Sequence, residues 1–416
     1  MNFLNEVAMQ YPNAISFASG RPTEKYFDLK SWLDKVPMFI EYFASSKKIT
    51  YQKASALIGQ YGKTDGIINS LISEQLQNDQ VLQCSSEQII VTTGCQEAMA
   101  ICLATLMADK DSVVLVFNPN YIGITGLAAM FGECLSHVDV DDSGDFLGSV
   151  SRSVERIASS RKIIKAIYLV PDFNNPTGEV LPEAQRQELI SFCSERKILI
   201  LEDNAYGMFR YEGIAQRSMY SLDTTGTVLY LGTYSKTLCP SLRIGFIVLP
   251  KVLFGDTKAS RELSEALSIA KSFITVNTSQ LSQAVVGGIL ISEGMTLKRL
   301  TALPLNHYKT NLDTMTGALK DEFFNISSSV RWNKPEGGFF LTVKFPFEFN
   351  EIDLKACAEQ YNVLCMPMSF FAFDNRYDNQ IRLAFSNVET EKIAEGISNL
   401  AAYSRVKLSI TGPSNL

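Results

Sequence analysis

The stretch Ile164–Tyr206, "IKAIYLVPDFNNPTGEVLPEAQRQELISFCSERKILILEDNAY", decides the fold. Its first apolar run, "AIYLV", is short and rich in β-formers, and it stops at Pro171 and a cluster of turn residues. A longer polar and apolar pattern follows over "PEAQRQELISFCSERK", with the spacing of a helix. A second run, "ILIL", then ends at two carboxylates, Glu202 and Asp203. A strand, a crossover helix and a second strand make a βαβ unit, and its two strands run parallel.

The same alternation extends in both directions. "EQIIVTT" (87–93) leads into "CQEAMAICLATLM", and "DSVVLVFNPN" (111–120) leads into "YIGITGLAAMFG". "GTVLYLGTYSK" (226–236) and "RIGFIVLP" (243–250) complete the series. Continuous Val/Ile/Leu strands separated by helices predict a mostly parallel sheet covered on both faces, an α/β fold. In such sheets ligands bind beyond the carboxyl ends of the strands. The polar punctuation follows that rule: Gly94-Cys95-Gln96, Asn118–Tyr121, Asp172–Gly178, Asp203–Tyr206 and Thr233–Lys236 each directly follow an apolar run. Five strand ends are therefore expected to converge on one edge of the sheet.

Beyond about residue 255 the pattern changes. A long helical stretch, with an expected interruption at Thr275–Thr278, precedes "GGFFLTVKF", "YNVLCMPMSFF" and "NQIRLAFSN", which read as strands of a more antiparallel unit closed by a terminal helix. The expected division is a large domain over residues 46–290 and a smaller α+β domain from residues 1–45 and 291–416.

The chain has 416 residues, 46% hydrophobic and 20% charged, enough for two cores. Its net charge of −6 argues against a polyanion partner such as nucleic acid. Eight scattered cysteines with no C-x-x-C, and only His137 and His307, argue against a disulfide framework and a zinc site. No apolar run is long enough to span a bilayer, and the amino-terminal stretch lacks a basic region followed by an apolar one. The expectation is a cytoplasmic protein without a membrane partner.

Singly, the strand-end residues have ordinary readings. Asp203 can cap a helix, Lys236 can pair with a carboxylate, Asn175–Gly178 can be a turn, and Arg243 can lie on the surface. Gly94 before a helix is a weak sign of an anion cradle. Together they supply an amine nucleophile, a buried carboxylate, and an anion cradle with hydroxyls and a cation. Pyridoxal 5′-phosphate (PLP) needs these parts: an amine for its aldehyde, a carboxylate for its ring nitrogen, and helix amides and a cation for its phosphate.

With those residues in view, "PDFNNPTG", "EDNAY", "TYSKTLCPSLRIGF" and "NQIRLAFS" resemble, in order and spacing, the class I/II PLP-dependent aminotransferases of fold type I. The resemblance spans about residues 14–400 and is greatest to the branch with 2-aminoadipate and kynurenine aminotransferases. It implies that Lys236 holds the cofactor and carries the proton, that Asp203 pairs with the ring nitrogen, and that Asn175 and Tyr206 bond the ring oxygen. Tyr121 would stack on the ring. Gly94 and the amides of Cys95 and Gln96, with Thr233, Ser235 and Arg243, would hold the phosphate. Arg382 would clamp the substrate carboxylate. Gly20 and Arg21, in "ISFASGRPTEKYFD", would cover the pocket. Tyr61, in "QYGKTDG", would reach the phosphate of a neighbouring subunit, implying a homodimer with shared active sites. Cys95 departs from the family's usual serine or alanine, and Asn174 from its frequent glutamine.

The amino-terminal string also resembles aminotransferases that make aryl-glycines for peptide antibiotics. Aromatic or aliphatic L-amino acids rank first as substrates, 2-aminoadipate or another long-chain amino acid second. Two alternatives stay open: another PLP reaction on the same scaffold (lyase, oxidase or decarboxylase), and an effector-sensing module of a transcription regulator. The latter is expected to need a winged-helix domain, for which the 14 residues ahead of the resemblance leave no room.

Overall fold

The computed structural model describes residues 10–132, 134–140, 144–324, 326 and 329–411. The first nine residues, part of the stretch expected to carry no signal peptide, lie outside them. The chain opens with strand β1 (Ile15–Ser16) and helices α1 (Leu29–Leu33), α2 (Val36–Lys47), α3 (Tyr51–Ile58) and α4 (Asn69–Gln80). There follow β2 (Ile89–Thr92), α5 (Gly94–Leu106), β3 (Ser112–Phe117), α6 (Ile122–Met130), β4 (Leu135–Val138), α7 (Phe146–Ser159), β5 (Ile163–Leu169), α8 (Glu183–Arg196) and β6 (Leu199–Asn204). Then come α9 (Met219–Leu222), β7 (Val228–Thr233), β8 (Gly245–Val248), α10 (Thr257–Ile274), α11 (Gln280–Ser292) and α12 (Lys298–Phe323).

Strands β2 to β8 form one seven-stranded sheet in the order β2-β8-β7-β6-β5-β3-β4. Every pairing is parallel except those of β8, which is antiparallel to both neighbours. Two reversals cancel, so β2 points the same way as β7. The carboxyl ends of β2, β3, β5, β6 and β7 therefore share one edge, as the strand punctuation predicts.

Alternation along the strands explains why both faces are apolar. On one face Val114, Val116, Ala166, Tyr168, Leu199, Leu201, Leu229 and Leu231 pack with Ala98, Ile101 and Cys102 of α5. On the other, Val113, Leu115, Ile167, Leu169, Ile200 and Val228 pack against Val150 of α7 and Leu189 and Cys193 of α8. The expected break in the long helical stretch is present. Asp256 caps α10 by accepting from the amides of Lys258 (2.7 Å) and Ala259 (3.2 Å), and Ser279 caps α11 by accepting from Ser282 (3.2 Å).

The rest of the chain supplies β9 (Arg331–Trp332), β10 (Phe340–Lys344), α13 (Glu351–Gln360), β11 (Val363–Leu364), β12 (Met366–Pro367), β13 (Gln380–Ala384) and α14 (Thr390–Thr411). A four-stranded antiparallel sheet, β12-β13-β10-β9, forms its frame, and α14 lies along α12. Among the described residues, no helix is long and apolar enough to cross a membrane.

Residues 1–45 do not behave as one piece. Ile15 and Phe17 donate to the carbonyls of Asn362 (2.8 Å) and Leu364 (2.7 Å), so β1 joins the carboxyl-terminal unit through β11. Helices α1 and α2 instead go with the large unit: Trp32, Phe39 and Phe43 pack with Val91, Phe246 and Val286. The cause lies in α11. A Cβ on Gly287 would lie 2.4 Å from the Phe39 ring, and one on Gly288 would lie 2.3 Å from the carbonyl of Lys35. Only glycine lets the two helices approach this closely.

Candidate active site

Lys236 follows β7 and extends across the converging strand ends. Its Nζ donates to the carbonyl of Gly20 (3.1 Å) and lies 5.7 Å from the Tyr206 ring and 5.9 Å from the Phe339 ring. Burial, with repulsion from Arg382, pushes the amine down to about 8, against a smaller opposing pull from Asp203.

Asp203 is the penultimate residue of β6, on the face shared by Leu199 and Leu201. It is buried, and both oxygens accept hydrogen bonds, Oδ2 from the Tyr168 hydroxyl (2.6 Å) and Oδ1 from the Cys95 thiol (3.3 Å). Burial raises its pKa, and Tyr168, Cys95 and the charge of Lys236 pull the other way.

The first turn of α5 faces the same edge. Its cap residue, Thr93, makes no side-chain cap bond, so the first amides of the helix are left without that partner. Gly94 has φ +74°, and a Cβ there would lie 2.3 Å from Nη2 of Arg243. A Cβ on Gly245 would lie 2.7 Å from the Cys95 amide nitrogen. The two glycines open the helix end to the guanidinium. Arg243 donates to Ser235 Oγ (3.3 Å) and the Thr93 carbonyl (3.4 Å), and Thr233 Oγ1 donates to Ser235 Oγ (3.1 Å). A cation, two hydroxyls and a helix N-terminus thus meet in one place.

Gln96 donates through Nε2 to the carbonyl of Gly123 (3.0 Å), while its buried Oε1 has no hydrogen-bond partner among the described residues. Tyr121 precedes α6, and the absent side chain of Gly123 leaves room for its ring. Burial raises the Tyr121 hydroxyl well above its ordinary value, helped by the nearby Tyr206 and Asp203.

Arg382, on β13, is 1% exposed, with its guanidinium between the rings of Phe340 (4.4 Å) and Phe371 (4.6 Å). Nη1 donates to Asn175 Oδ1 (2.8 Å) and Nη2 to the carbonyl of Ala18. Nε is buried without a partner among the described residues. Burial pushes the group down to about 10. Asn175 also lies beside the hydroxyl of Tyr206, opposing the rise that burial gives its pKa, and the Tyr206 ring meets Phe339 and Phe340 edge-on.

Gly20 sits where a Cβ would lie 2.2 Å from the Phe340 ring, so a short strap over residues 18–20 crosses the cleft closely. Two residues read with the site, Arg21 with its own pocket and Tyr61 with that of a neighbouring subunit, are exposed. The Arg21 guanidinium lies 3.7 Å from Glu24, half exposed. Tyr61, 78% exposed, lies in the loop after α3, which Gln280 anchors through the carbonyls of Leu57 and Gln60.

Three residues that the motifs do not single out hold this site. Tyr168 reads as an ordinary strand aromatic. Glu202 is fully buried on the other face of β6 and accepts from the amides of Met219 (2.9 Å) and Tyr220 (2.8 Å), and burial pushes it up to about 7. Arg186, fully buried, takes both carboxylate oxygens of Asp172 (2.8 and 3.1 Å) and the carbonyls of Pro171 and Leu181. It thereby staples both ends of the turn that carries Asn175. The only sequence signal for Glu202 and Arg186 is a charge inside an apolar pattern.

Comparison with known proteins adds three likenesses and a family. The sequence model of the family described as "Aminotransferase class I and II" matches residues 15–400. The chain is 35% identical to (S)-3,5-dihydroxyphenylglycine transaminase of Amycolatopsis orientalis, over 98% of this chain and 92% of that one. It is 28% identical to aromatic-amino-acid aminotransferase 1 of Thermococcus litoralis, over 94% and 87%. Among solved structures it superposes on the kynurenine aminotransferase of Pyrococcus horikoshii with a TM-score of 0.83 and 26% identity, over 98% and 95% of the two chains.

Proposed function

Because this chain belongs to the class I and II aminotransferase family and is an aminotransferase of fold type I, we propose that it works with PLP and takes an aromatic or aliphatic L-amino acid as donor and a 2-oxo acid as acceptor. One observation carries the reading: the Lys236 amine, the buried Asp203 carboxylate and the unbonded Nε of Arg382 share one cleft.

The residues fit the cofactor. The α5 amides, Arg243 and two hydroxyls form a cradle for a phosphate dianion, and a Cβ at Gly94 would fill it. The Gln96 Oε1 and Arg382 Nε atoms, buried without a partner among the described residues, are what a site built for further polar partners leaves behind. When bound, PLP supplies an aldehyde that condenses with amines and a ring that spreads the negative charge left on a substrate α-carbon.

The chain's own residues do the rest. Lys236 would hold the cofactor through its amine, and the same Nζ would take the α-proton of the substrate. With its pKa lowered to about 8, the amine becomes a free base as pH rises through that value, well below the ordinary range for lysine. Asp203 would keep a proton on the ring nitrogen. Asn175 and Tyr206 would serve the ring oxygen, and Tyr121 the ring face. Gly94, the Cys95 and Gln96 amides, Thr233, Ser235 and Arg243 would hold the phosphate. Arg382 orients the substrate by its carboxylate through a planar fork. The strap over residues 18–20 would cover the donor and exclude water, with Arg21 continuing it outward to Glu24. In this assignment residues 46–290 hold the cofactor, and the smaller domain brings Arg382.

Phe340 and Phe371 around the carboxylate clamp, and Phe339 beside Tyr206 and Lys236, favour an aromatic or apolar donor. The dihydroxyphenylglycine transaminase likeness supports an aryl side chain. Leu57 and Tyr61, flanking the loop after α3, and Leu281, next to the Gln280 that anchors it, are exposed. That apolar surface supports a homodimer in which Tyr61 of each subunit completes the phosphate site of the other. The eight free cysteines support a reducing, cytoplasmic location.

The test is a half-reaction. Protein loaded with PLP is mixed with single amino acids, and the 2-oxo acid and pyridoxamine phosphate are quantified. Stoichiometric formation of both with an aromatic or aliphatic donor is the expected result. Release of ammonia, carbon dioxide or peroxide in place of pyridoxamine phosphate would replace transamination with another reaction.

A further inference from the structure

Register places Tyr168 against Asp203. β5 and β6 are parallel, and Tyr168 is the register partner of Leu201. Residues two apart share a face, so Asp203 lies one step further along the face that carries Tyr168. Tyr168 is 2% exposed, and its hydroxyl donates to Asp203 Oδ2 at 2.6 Å, the short range of a bond to an ionised acceptor. From the other side, the first turn of α5 brings the Cys95 thiol to Oδ1 at 3.3 Å. The carboxylate is thus held between a strand neighbour and a helix cap. A buried tyrosine hydroxyl requires a partner, and Asp203 is the acceptor the structure gives it.

We infer that Tyr168 is a positioning residue for the reaction. Its hydroxyl, with the Cys95 thiol as the weaker second donor, keeps the buried Asp203 carboxylate ionised and fixed in direction, so that it serves the ring nitrogen. The inference rests on the reading of Asp203 as that partner. The physical basis is a conflict. Burial alone favours a neutral carboxyl, and a neutral carboxyl cannot hold a proton on the ring. Hydrogen bonds to the charged form oppose burial, as does the charge of Lys236. Tyrosine suits the position because its own proton stays in place. Burial and the adjacent Asp203 raise its pKa well above the ordinary value. Cys95 is held protonated in the same way.

The test uses the full chain with and without cofactor. Infrared difference spectra of the cofactor-free protein, referenced to Asp203→Asn, isolate the Asp203 carboxyl band and its midpoint in pH. Tyr168→Phe keeps the ring and removes the donor. The expected result is a native circular dichroism spectrum with a midpoint moved to higher pH. In the loaded enzyme, kcat falls roughly tenfold, the worth of one hydrogen bond to a charged group. Its acidic limb moves up in pH and KM stays within about twofold. Cys95→Ala gives a smaller shift in the same direction, and Cys95→Ser, which keeps a donor, restores the midpoint.

An unmoved midpoint with unchanged kcat in Tyr168→Phe would overturn the inference, and so would a rise in KM alone. If Tyr168→Phe does not fold, the Cys95 pair decides: equal midpoints in Cys95→Ala and Cys95→Ser overturn it. An infrared shift in a protein that transfers no amino group would instead remove the aminotransferase reading on which it rests.

Discussion

Arg382 and Asn175 meet in a 2.8 Å hydrogen bond although 207 residues separate them, and the bond joins the small antiparallel sheet to the turn after β5. Asn175 also lies beside the Tyr206 hydroxyl and opposes the burial that raises its pKa. The group read as the substrate clamp and the groups read as partners of the ring oxygen are thereby one connected network.

That connection gives the first prediction. Arg382→Ala removes a fork that lysine cannot reproduce. Affinity for the amino-acid donor should weaken by roughly 2–5 kcal/mol, the cost of stripping one partner from a buried charge pair. A decarboxylated analogue of the same donor should bind nearly as before. Titration of the cofactor absorbance with both ligands checks this, and equal losses would exclude the clamp.

Lys236 yields a prediction in pH. Its neutral form is the nucleophile, and the folded pKa is lowered to about 8 by burial and by Arg382. Trapping of PLP on the protein by borohydride should therefore increase as pH rises through about 8, well below the ordinary range for lysine. Peptide mapping should find the label on Lys236, and Lys236→Ala should fold but neither trap nor turn over. A label on another lysine would move the active site.

Asp203→Asn should still bind PLP through its phosphate but leave the ring nitrogen uncharged. Preorganised charge stabilisation is worth roughly 3–4 kcal/mol, so kcat should drop by about two to three orders of magnitude. Near-normal turnover would reduce Asp203 to a structural residue.

Glu202 predicts how stability varies with pH. Burial raises its folded pKa to about 7, above the unfolded value. Between those values the folded state binds the extra proton, so stability is greatest below the unfolded pKa and falls as pH rises through about 7. The full effect is at most about 3 kcal/mol. Denaturant unfolding at a series of pH values should show this decline in the natural protein and a flatter profile in Glu202→Gln.

The strand ends are legible in the sequence because a strand buried on both faces cannot hide its apolar run, and polar residues mark where it stops. The antiparallel direction of β8 is not legible, since "GFIV" reads alike in either direction. Nor is the attachment of α1 and α2 to the large unit, which depends on Gly287 and Gly288 some 250 residues away in the chain. The motif residues Lys236, Asp203, Asn175 and Arg382 announce themselves by charge or by turn chemistry next to apolar runs. Tyr168 does not, because tyrosine is a common strand residue and only the register of two strands shows what its hydroxyl meets.

The strap over residues 18–20 governs the order in which the protein comes to life. Its bond to Arg382 spans 364 residues and its bond to Lys236 spans 216. Closing such loops carries an entropic cost that local contacts do not. The seven-stranded sheet uses no residue beyond Val248, so it can assemble on the ribosome while β13 is still unmade. Arg382, on β13, is made only after every strand of that sheet, and the early strap must wait for it. A nascent chain can therefore pair its central sheet before residues 18–20 find the side chain that ties them down.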